Sequence, residues 1–392
     1  MEGSEWKKAA QESDLREGIP VPVTIDEKEV MLVRVNGSIH ACGNECTHYE
    51  TKTEKGTVYI RPEGSVRISM PEGKDNRTFV IVGAGASGNA AAEMLRREGF
   101  SGRILMITAE KDRPYDRTML SKDYLAGDAP AKWLPLRGEK FYDRLQIELM
   151  TGRRVQSLDP GTKTLTLQDE TSVSGDRILI ATGGTPRTLN IPGTGLKGCH
   201  YLRSLQDCER IITGVEQAEQ AVVLGASFIG LEVAASLRKR DRTVHVVAPE
   251  QIPLTPVFGE RIGRWVQHRH TDKGVRFHLA HTVKEIRGDG RVREVVLDDD
   301  TRIKTDLIII GVGILPAVDF LSGSGLVEKG EIPVDSRFRT GVEGIYACGD
   351  IAAIPDPVTG EIRRVEHWVE AERQGQHAAR AMLDSPEPYS EI

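Results

Sequence analysis

The chain has 392 residues, with 52 Lys and Arg against 58 Asp and Glu and a net charge of −6. That length calls for two or three domains with an ample core, and a charge balance without a dense basic run argues against nucleic acid as the main partner. No run of about 18 apolar residues exists, so no membrane span is expected; the first residues lack the apolar core of a signal peptide, and Cys42, Cys46, Cys199, Cys208 and Cys348 are scattered as in a reducing, cytoplasmic interior.

Residues 1–14 are polar and read as a frayed end. From Val21 short apolar runs alternate, VPVTI and then EVMLVRV, and Asn36-Gly37 is a hairpin signal ahead of Ser38-Ile39-His40. This text predicts a small β module over 15–73. It places His40, Cys42, Cys46 and His48 within nine residues. A zinc site of these four is one reading, but structural zinc sites hold two ligand pairs apart on a scaffold, and no metal ligand is assigned. The stretch LVRVNGSIHACGNECTHY resembles the first half of a Rieske [2Fe-2S] domain, with Cys46 and His48 as its C-x-H box. A Rieske centre takes two Cys and two His. The resemblance implies a second box, C-x-x-H, yet neither Cys nor His occurs between Tyr49 and Phe79. No [2Fe-2S] cluster is therefore expected.

The chain is organised around Phe79 to Gly99, FVIVGAGASGNAAAEMLRREG. Four apolar residues read as a buried parallel strand, and Gly83, Gly85 and Gly88 turn it into a helix that Gly99 can end. In such a unit the first Gly makes the turn, the second admits a pyrophosphate, and the third lets helix and strand pack closely. The phosphates meet free N–H groups at the positive end of the helix dipole. A second strand, Ile104–Ile107, leads to Glu110, placed to take a ribose hydroxyl.

Next comes Arg113-Pro-Tyr-Asp-Arg117-Thr-Met-Leu-Ser-Lys122. This stretch resembles the R-P-Y-x-R-P-x-L-S-K loop of flavin-dependent ferredoxin reductases and apoptosis-inducing-factor-like proteins, with Thr118 at a position usually Pro. The resemblance places Arg117 in the cofactor site and Lys122 beside the flavin's reactive ring nitrogen.

The pattern of strand, turn, strand and apolar run ends at Gly183, and it recurs over 282–313, ending at Gly313. Each copy follows a GxxxxG turn, so two similar dinucleotide folds, and two dinucleotides, are expected. The second turn reads Gly225-Ala-Ser227-Phe-Ile-Gly230, followed by Glu232. Ser227 replaces the middle Gly; it crowds the pyrophosphate, although its hydroxyl could bond phosphate. Ala248 stands where an acid is common, with Glu250 two residues on. No Arg or Lys falls between 248 and 260 to hold a 2′-phosphate, which favours NADH over NADPH. By the resemblance, Glu232 pairs with Lys122. Gly341–Asp350 resembles the family's second FAD fingerprint, in which Gly349 precedes an Asp that holds the ribitol at a helix start. Glu366-His367-Trp368 and Ala371 to Gln374 match its E-x-W-x-x-A-x-x-Q helix, whose Trp packs at the flavin–nicotinamide site.

The fold expected is α/β: two Rossmann-like domains, the NAD domain inserted in the FAD domain, plus the β module. The divisions are 78–197 and 318–384 for FAD and 198–317 for NAD. The family continues into a third domain, ahead of which this sequence stops at Ile392. Disulfide reductases of this architecture need a C-x4-C pair soon after the first turn, and no Cys lies between Cys46 and Cys199. The expected activity is thus FAD-dependent NAD(P)H oxidation, with electrons leaving to a ferredoxin-like protein, a quinone or dioxygen. Lys122, Glu232 and Trp368 are the candidate catalytic residues. The alternative is a flavin-binding interaction protein or pseudoenzyme without turnover.

Overall fold

The computed structural model describes residues 6–25, 28–35, 37–43, 48–62, 69–138 and 140–390, in two compact units that divide between Met70 and Pro71.

The first unit is one six-stranded antiparallel sheet. Its spatial order is Lys7–Gln11, Thr57–Pro62, His48–Glu54, Ser38–Gly43, Lys28–Val35 and Val21–Ile25. Val35 and Ser38 are register partners, the spacing that the Asn-Gly signal demands. Leu15, Val30, Leu32, Ala41, Val58 and Ile60 form its buried core. Residues 7–11 correct the expectation of a frayed end, since they pair antiparallel with Thr57–Pro62. KKAAQ has no β-branched alternation to announce a strand, so the neighbouring edge rather than local propensity recruits it. Cys42 and His48 are Cα partners on adjacent strands; Cys46, and the side chains of Cys42 and His48, lie outside the described residues.

The second unit holds two parallel five-stranded sheets. In the first, the order is Ile345–Ala347, Arg177–Ile180, Thr78–Val82, Arg103–Ile107 and Ile147–Met150. In the second it is Cys199–Tyr201, Leu307–Ile310, Gln220–Leu224, Thr243–Ala248 and Val275–Leu279. Each central strand is an unbroken apolar run, as a strand covered on both faces requires. A three-stranded antiparallel sheet accompanies each: Val155–Asp159, Thr164–Leu167 and Ser172–Ser174 in one copy, and Val283–Asp289, Arg291–Leu297 and Arg302–Lys304 in the other. The first sheet is completed by Ile345–Ala347, from beyond the second sheet, so the chain leaves one fold, builds another and returns.

Helix α1 (Ala86–Arg97) follows the first glycine turn, and eleven of its twelve residues are buried. Burial on that scale needs small residues, which SGNAAA supplies. Helix α2 (Phe228–Lys239) follows the second turn, and helix α3 (Trp368–Ala381) closes the chain. A Cβ on Gly375 of α3 would lie 2.1 Å from the Ser87 carbonyl oxygen of α1, so only glycine permits this crossing. The Arg96 side chain donates to the carbonyls of Phe100, Gly102, Leu145 and Gln146 at 2.6–2.9 Å, closing the far end of the first sheet. Burial lowers its guanidinium to about 10. Among the described residues, no helix is long and apolar enough to cross a membrane.

Candidate functional site

The first turn has the shape its three glycines demand. Gly83 sits at φ +110°, and a Cβ there would come 2.2 Å from the Ala181 carbonyl oxygen. A Cβ on Gly88 would come 2.0 Å from the Gly83 oxygen. At Gly85 a Cβ would meet nothing within 4 Å. Packing thus requires the outer two glycines, while the middle one faces open space at the start of α1, where the first-turn N–H groups have no intrahelical partner. This open cradle fits a pyrophosphate. Helix N-termini bind anions for this reason, and the side-chain-free backbone leaves room for close approach.

Around that turn the structure assembles residues from distant parts of the sequence. Glu110 accepts from the Tyr115 hydroxyl on one oxygen and from Arg117 Nη2, at 2.5 Å, on the other. Arg117 also donates to the Arg203 carbonyl and lies over the Tyr115 ring, 5.1 Å from its centroid. Burial alone would lower the Arg117 guanidinium, but the Tyr115 and Glu110 oxygens outweigh it and hold the group above its ordinary value. Arg203 Nη2 stands 3.7 Å from Asp350 Oδ2, and a Cβ on Gly183 would lie 2.9 Å from that same nitrogen. Burial holds the Arg203 guanidinium below its ordinary value, and the Arg117 cation pushes the same way. Gly83, Gly85, Gly88, Glu110, Arg117, Gly183 and Asp350 therefore belong to one neighbourhood.

Asp350 departs from one expectation. It occupies a turn ahead of the strand Ala352–Pro355, not a helix start. Gly349 before it has φ +77°, and a Cβ there would lie 2.6 Å from Ser87 Oγ. The turn is shaped by α1 packing on it, which a helix dipole does not require.

Lys122 and Glu232 meet as expected. Lys122 Nζ is 2.9 Å from Glu232 Oε2, the Ser121 hydroxyl donates to the same oxygen at 2.6 Å, and Lys122 also donates to the Thr118 carbonyl at 3.2 Å. Lys122 lies on the segment between the strands Arg103–Ile107 and Ile147–Met150 of the first fold and Glu232 on α2 of the second, so the ion pair joins the two copies, as does that of Asp128 with Lys239. With the side chains 43% and 30% exposed, the pair adds at most about 1 kcal/mol to stability, so its interest lies in where it puts a cation.

Trp368, the half-buried first residue of α3, has Glu372 as its partner, the indole N–H donating to the carboxyl. Burial holds the Glu372 carboxyl above the usual range, against the Trp368 N–H and the Arg137 guanidinium, which favour its charge.

In the second copy a Cβ on Gly225 would lie 2.3 Å from the Gly311 oxygen, and one on Gly230 would lie 2.1 Å from the Gly225 oxygen. Ser227 stands at the N-cap position of α2 without a side-chain capping bond, is exposed, and its hydroxyl donates to the Gly311 carbonyl at 3.3 Å. The proton expected to reach a phosphate is thus already engaged. Glu250 is exposed just past the strand Thr243–Ala248, and Gly313, φ +98°, faces open space.

Sequence reasoning missed Arg203, Ser121 as a partner of Glu232, and Glu372. Ser121 lay within a motif already singled out. Arg203 is a lone basic residue before a helix cap, with no spacing to flag it.

Comparison with known proteins agrees with this geometry. The family model for pyridine nucleotide-disulphide oxidoreductases matches residues 77–375, and that for the Rieske [2Fe-2S] domain matches residues 5–67. "Apoptosis-inducing factor 3" of Homo sapiens is 32% identical over 431 residues, covering 94% of this chain and 70% of that protein. The aligned span exceeds the whole of this chain, so the relative carries internal residues that this one lacks. "Rhodocoxin reductase" of Rhodococcus erythropolis is 34% identical over 316 residues, covering 80% and 74%. Among solved structures, the ferredoxin reductase for the CYP199A2 system of Rhodopseudomonas palustris superposes with a TM-score of 0.77 at 34% identity, covering 80% of this chain and 78% of that one. The reductase–putidaredoxin covalent complex gives 0.77 at 30%, covering 81% and 78%. The chain belongs to the pyridine nucleotide-disulphide oxidoreductase family, alongside the ferredoxin reductases and apoptosis-inducing-factor proteins, with a Rieske-type module at its N-terminus.

Proposed function

We propose that the protein is an FAD-dependent NADH oxidoreductase that passes electrons singly to a small iron–sulfur protein of the ferredoxin type. The observation that carries this reading is the Lys122–Glu232 pair at 2.9 Å, which ties a cation on the first dinucleotide fold to the helix that opens the second. FAD, when bound, supplies the step that turns a two-electron hydride into single electrons. The chain's own residues bind and orient. Gly83, Gly85 and Gly88 admit the pyrophosphate, Glu110 the ribose, and Asp350 with Arg203 the ribitol and phosphate side. Lys122 presents a cation where negative charge accumulates, Glu232 and Ser121 fix its direction, and Trp368 limits the freedom of the stacked rings. Gly225, Ser227, Gly230, Glu250 and Gly313 take NADH. The exposed acid Glu250 and the sequence from 248 to 260, which holds neither Arg nor Lys, favour NADH over NADPH. The corresponding division is 78–197 with 318–384 for FAD and 198–317 for NAD, after a module whose expected bounds of 15–73 widen at the start to include Lys7–Gln11 and end at Met70; scattered cysteines fit a cytoplasmic setting.

The same reading gives the N-terminal module no cluster. Cys46 and His48 supply one C-x-H box, and no Cys or His follows before Phe79. Cys42 and His48 are Cα partners on adjacent strands of one sheet. Two irons would each lack a protein ligand, so no electron step is assigned there. Iron and acid-labile sulfide near two per chain after anaerobic reconstitution would overturn this.

The test of the main reading is spectroscopic and catalytic together. Purified protein supplemented with FAD should show a flavin spectrum and should reduce a ferredoxin with NADH. No flavin spectrum after supplementation would sink it.

A further inference from the structure

The turn that carries Asp350 is held by a chain of hydrogen bonds that begins at the C-terminal tail. The Tyr389 hydroxyl donates to Glu370 Oε1 at 2.8 Å, and Gln374 Nε2 donates to the same oxygen at 3.0 Å. At its other end Gln374 Oε1 accepts the Gly349 N–H at 2.8 Å. Gln374 is wholly buried, and Gly349 is wedged at φ +77° against Ser87 of α1. A carboxylate only accepts and a backbone N–H only donates, whereas an amide has one end of each kind. The two neighbours therefore dictate which way the Gln374 amide faces. Flipped, it would set oxygen against carboxylate and NH2 against N–H, at a side chain wholly shielded from solvent.

We propose that Glu370, held in place by Tyr389, is a positioning residue that fixes the Gln374 amide and through it the Gly349–Asp350 turn. The proposal rests on the reading of Asp350 as a flavin ligand. Tyr389 is well built for the task. It is 5% exposed, its N–H donates to the Ser336 carbonyl at 2.7 Å, and its ring meets Phe338 and His377 at centroid distances of 5.2 and 5.4 Å. Packing thus fixes the ring in place, and the ring carries its hydroxyl to the Glu370 carboxylate.

The test compares the full chain with Tyr389→Phe, Glu370→Gln, their double variant and Asp350→Ala. FAD affinity is measured by titrating apoprotein and following flavin fluorescence, and hydrogen exchange is followed at the Gly349 amide. Glu370→Gln should weaken FAD about tenfold, the scale of one hydrogen bond, and speed Gly349 exchange. Tyr389→Phe, which keeps the ring packing, should do the same to a smaller extent. The double variant should match Glu370→Gln alone, because the two act as one unit. Unchanged Gly349 exchange in Tyr389→Phe, or strictly additive losses, overturns the proposal, even if Glu370→Gln fails to fold. FAD affinity untouched by Asp350→Ala instead overturns the reading of Asp350, while the Gly349 exchange still decides the proposal.

Discussion

The two dinucleotide turns of the second unit have nearly superimposable backbone constraints and opposite surroundings. Gly83 and Gly225 sit at φ +110° and +109°, and added Cβ atoms would strike the Ala181 and Gly311 oxygens at 2.2 and 2.3 Å. The differences lie in what surrounds them. The first turn has Gly85 facing open space, an acid with both oxygens engaged, and a helix buried almost throughout. The second has Ser227 at that position, an exposed Glu250, and a first helical turn whose Phe228 and Ile229 are 46% and 38% exposed. One fold thus serves two tasks. A cradle walled by an engaged acid and a buried helix suits a resident cofactor, and one bordered by exposed side chains suits a cofactor that comes and goes on every turnover.

The largest effect should come from filling the two middle positions. Gly85→Leu has space for its side chain, so the fold should persist while the pyrophosphate is excluded. FAD affinity should fall by about 100-fold or more, the scale of losing two charge-assisted hydrogen bonds. Ser227→Leu should leave bound flavin intact and abolish its response to NADH at ordinary concentrations. If both variants lost flavin alike, the contrast between resident and exchanging sites would fail.

Lys122→Ala acts where the two copies join. Its charge matters as negative charge develops, so flavin reduction should slow by about 10- to 100-fold while NADH binding changes little. Glu232→Ala should slow it less, since the cation remains. Stopped-flow reduction at several NADH concentrations separates rate from binding; equal losses in both would contradict the assigned roles.

Ser227→Gly sharpens the comparison from the other side. It removes the hydroxyl bonded to Gly311 and makes the second turn like the first, so NADH should bind tighter, by about two- to fivefold in a binding titration. Weaker binding would show that the hydroxyl serves the cofactor.

The smallest effect concerns Glu372, the partner of Trp368. Its pKa is raised on folding, so the folded chain holds this proton more tightly than the unfolded one. Its stabilising contribution is full below the ordinary carboxylate pKa of about 4.3 and is lost as pH rises through the folded value. Glu372→Gln should therefore raise Tm by roughly 1–2 °C near pH 7.5, with the gain shrinking as the pH falls toward that value. A gain independent of pH would contradict the sign.

How much of this was legible depended on distance along the chain. The glycine turns, their strands and the repeated antiparallel pieces could be read locally, because strand, turn and helix periodicity lie within about thirty consecutive residues. The meeting of Lys122 with Glu232 came through a family resemblance, since no spacing links residues 110 apart. Arg203, Tyr389 and the strand Lys7–Gln11 were not legible. Each owes its place to a partner elsewhere: Asp350, Glu370 and the edge of Thr57–Pro62. The placement of Asp350 in a turn was hidden for a similar reason, because α1 shapes that turn by packing against Gly349.

The central claim is that NADH in the second dinucleotide fold reduces a flavin resident in the first. Titrating the flavin-loaded protein with NADH, without oxygen, measures this directly. The account predicts that the flavin absorbance bleaches with about one NADH per bound flavin. A protein that keeps its flavin yet shows no bleaching with excess NADH would be a binding protein, and the account would be wrong.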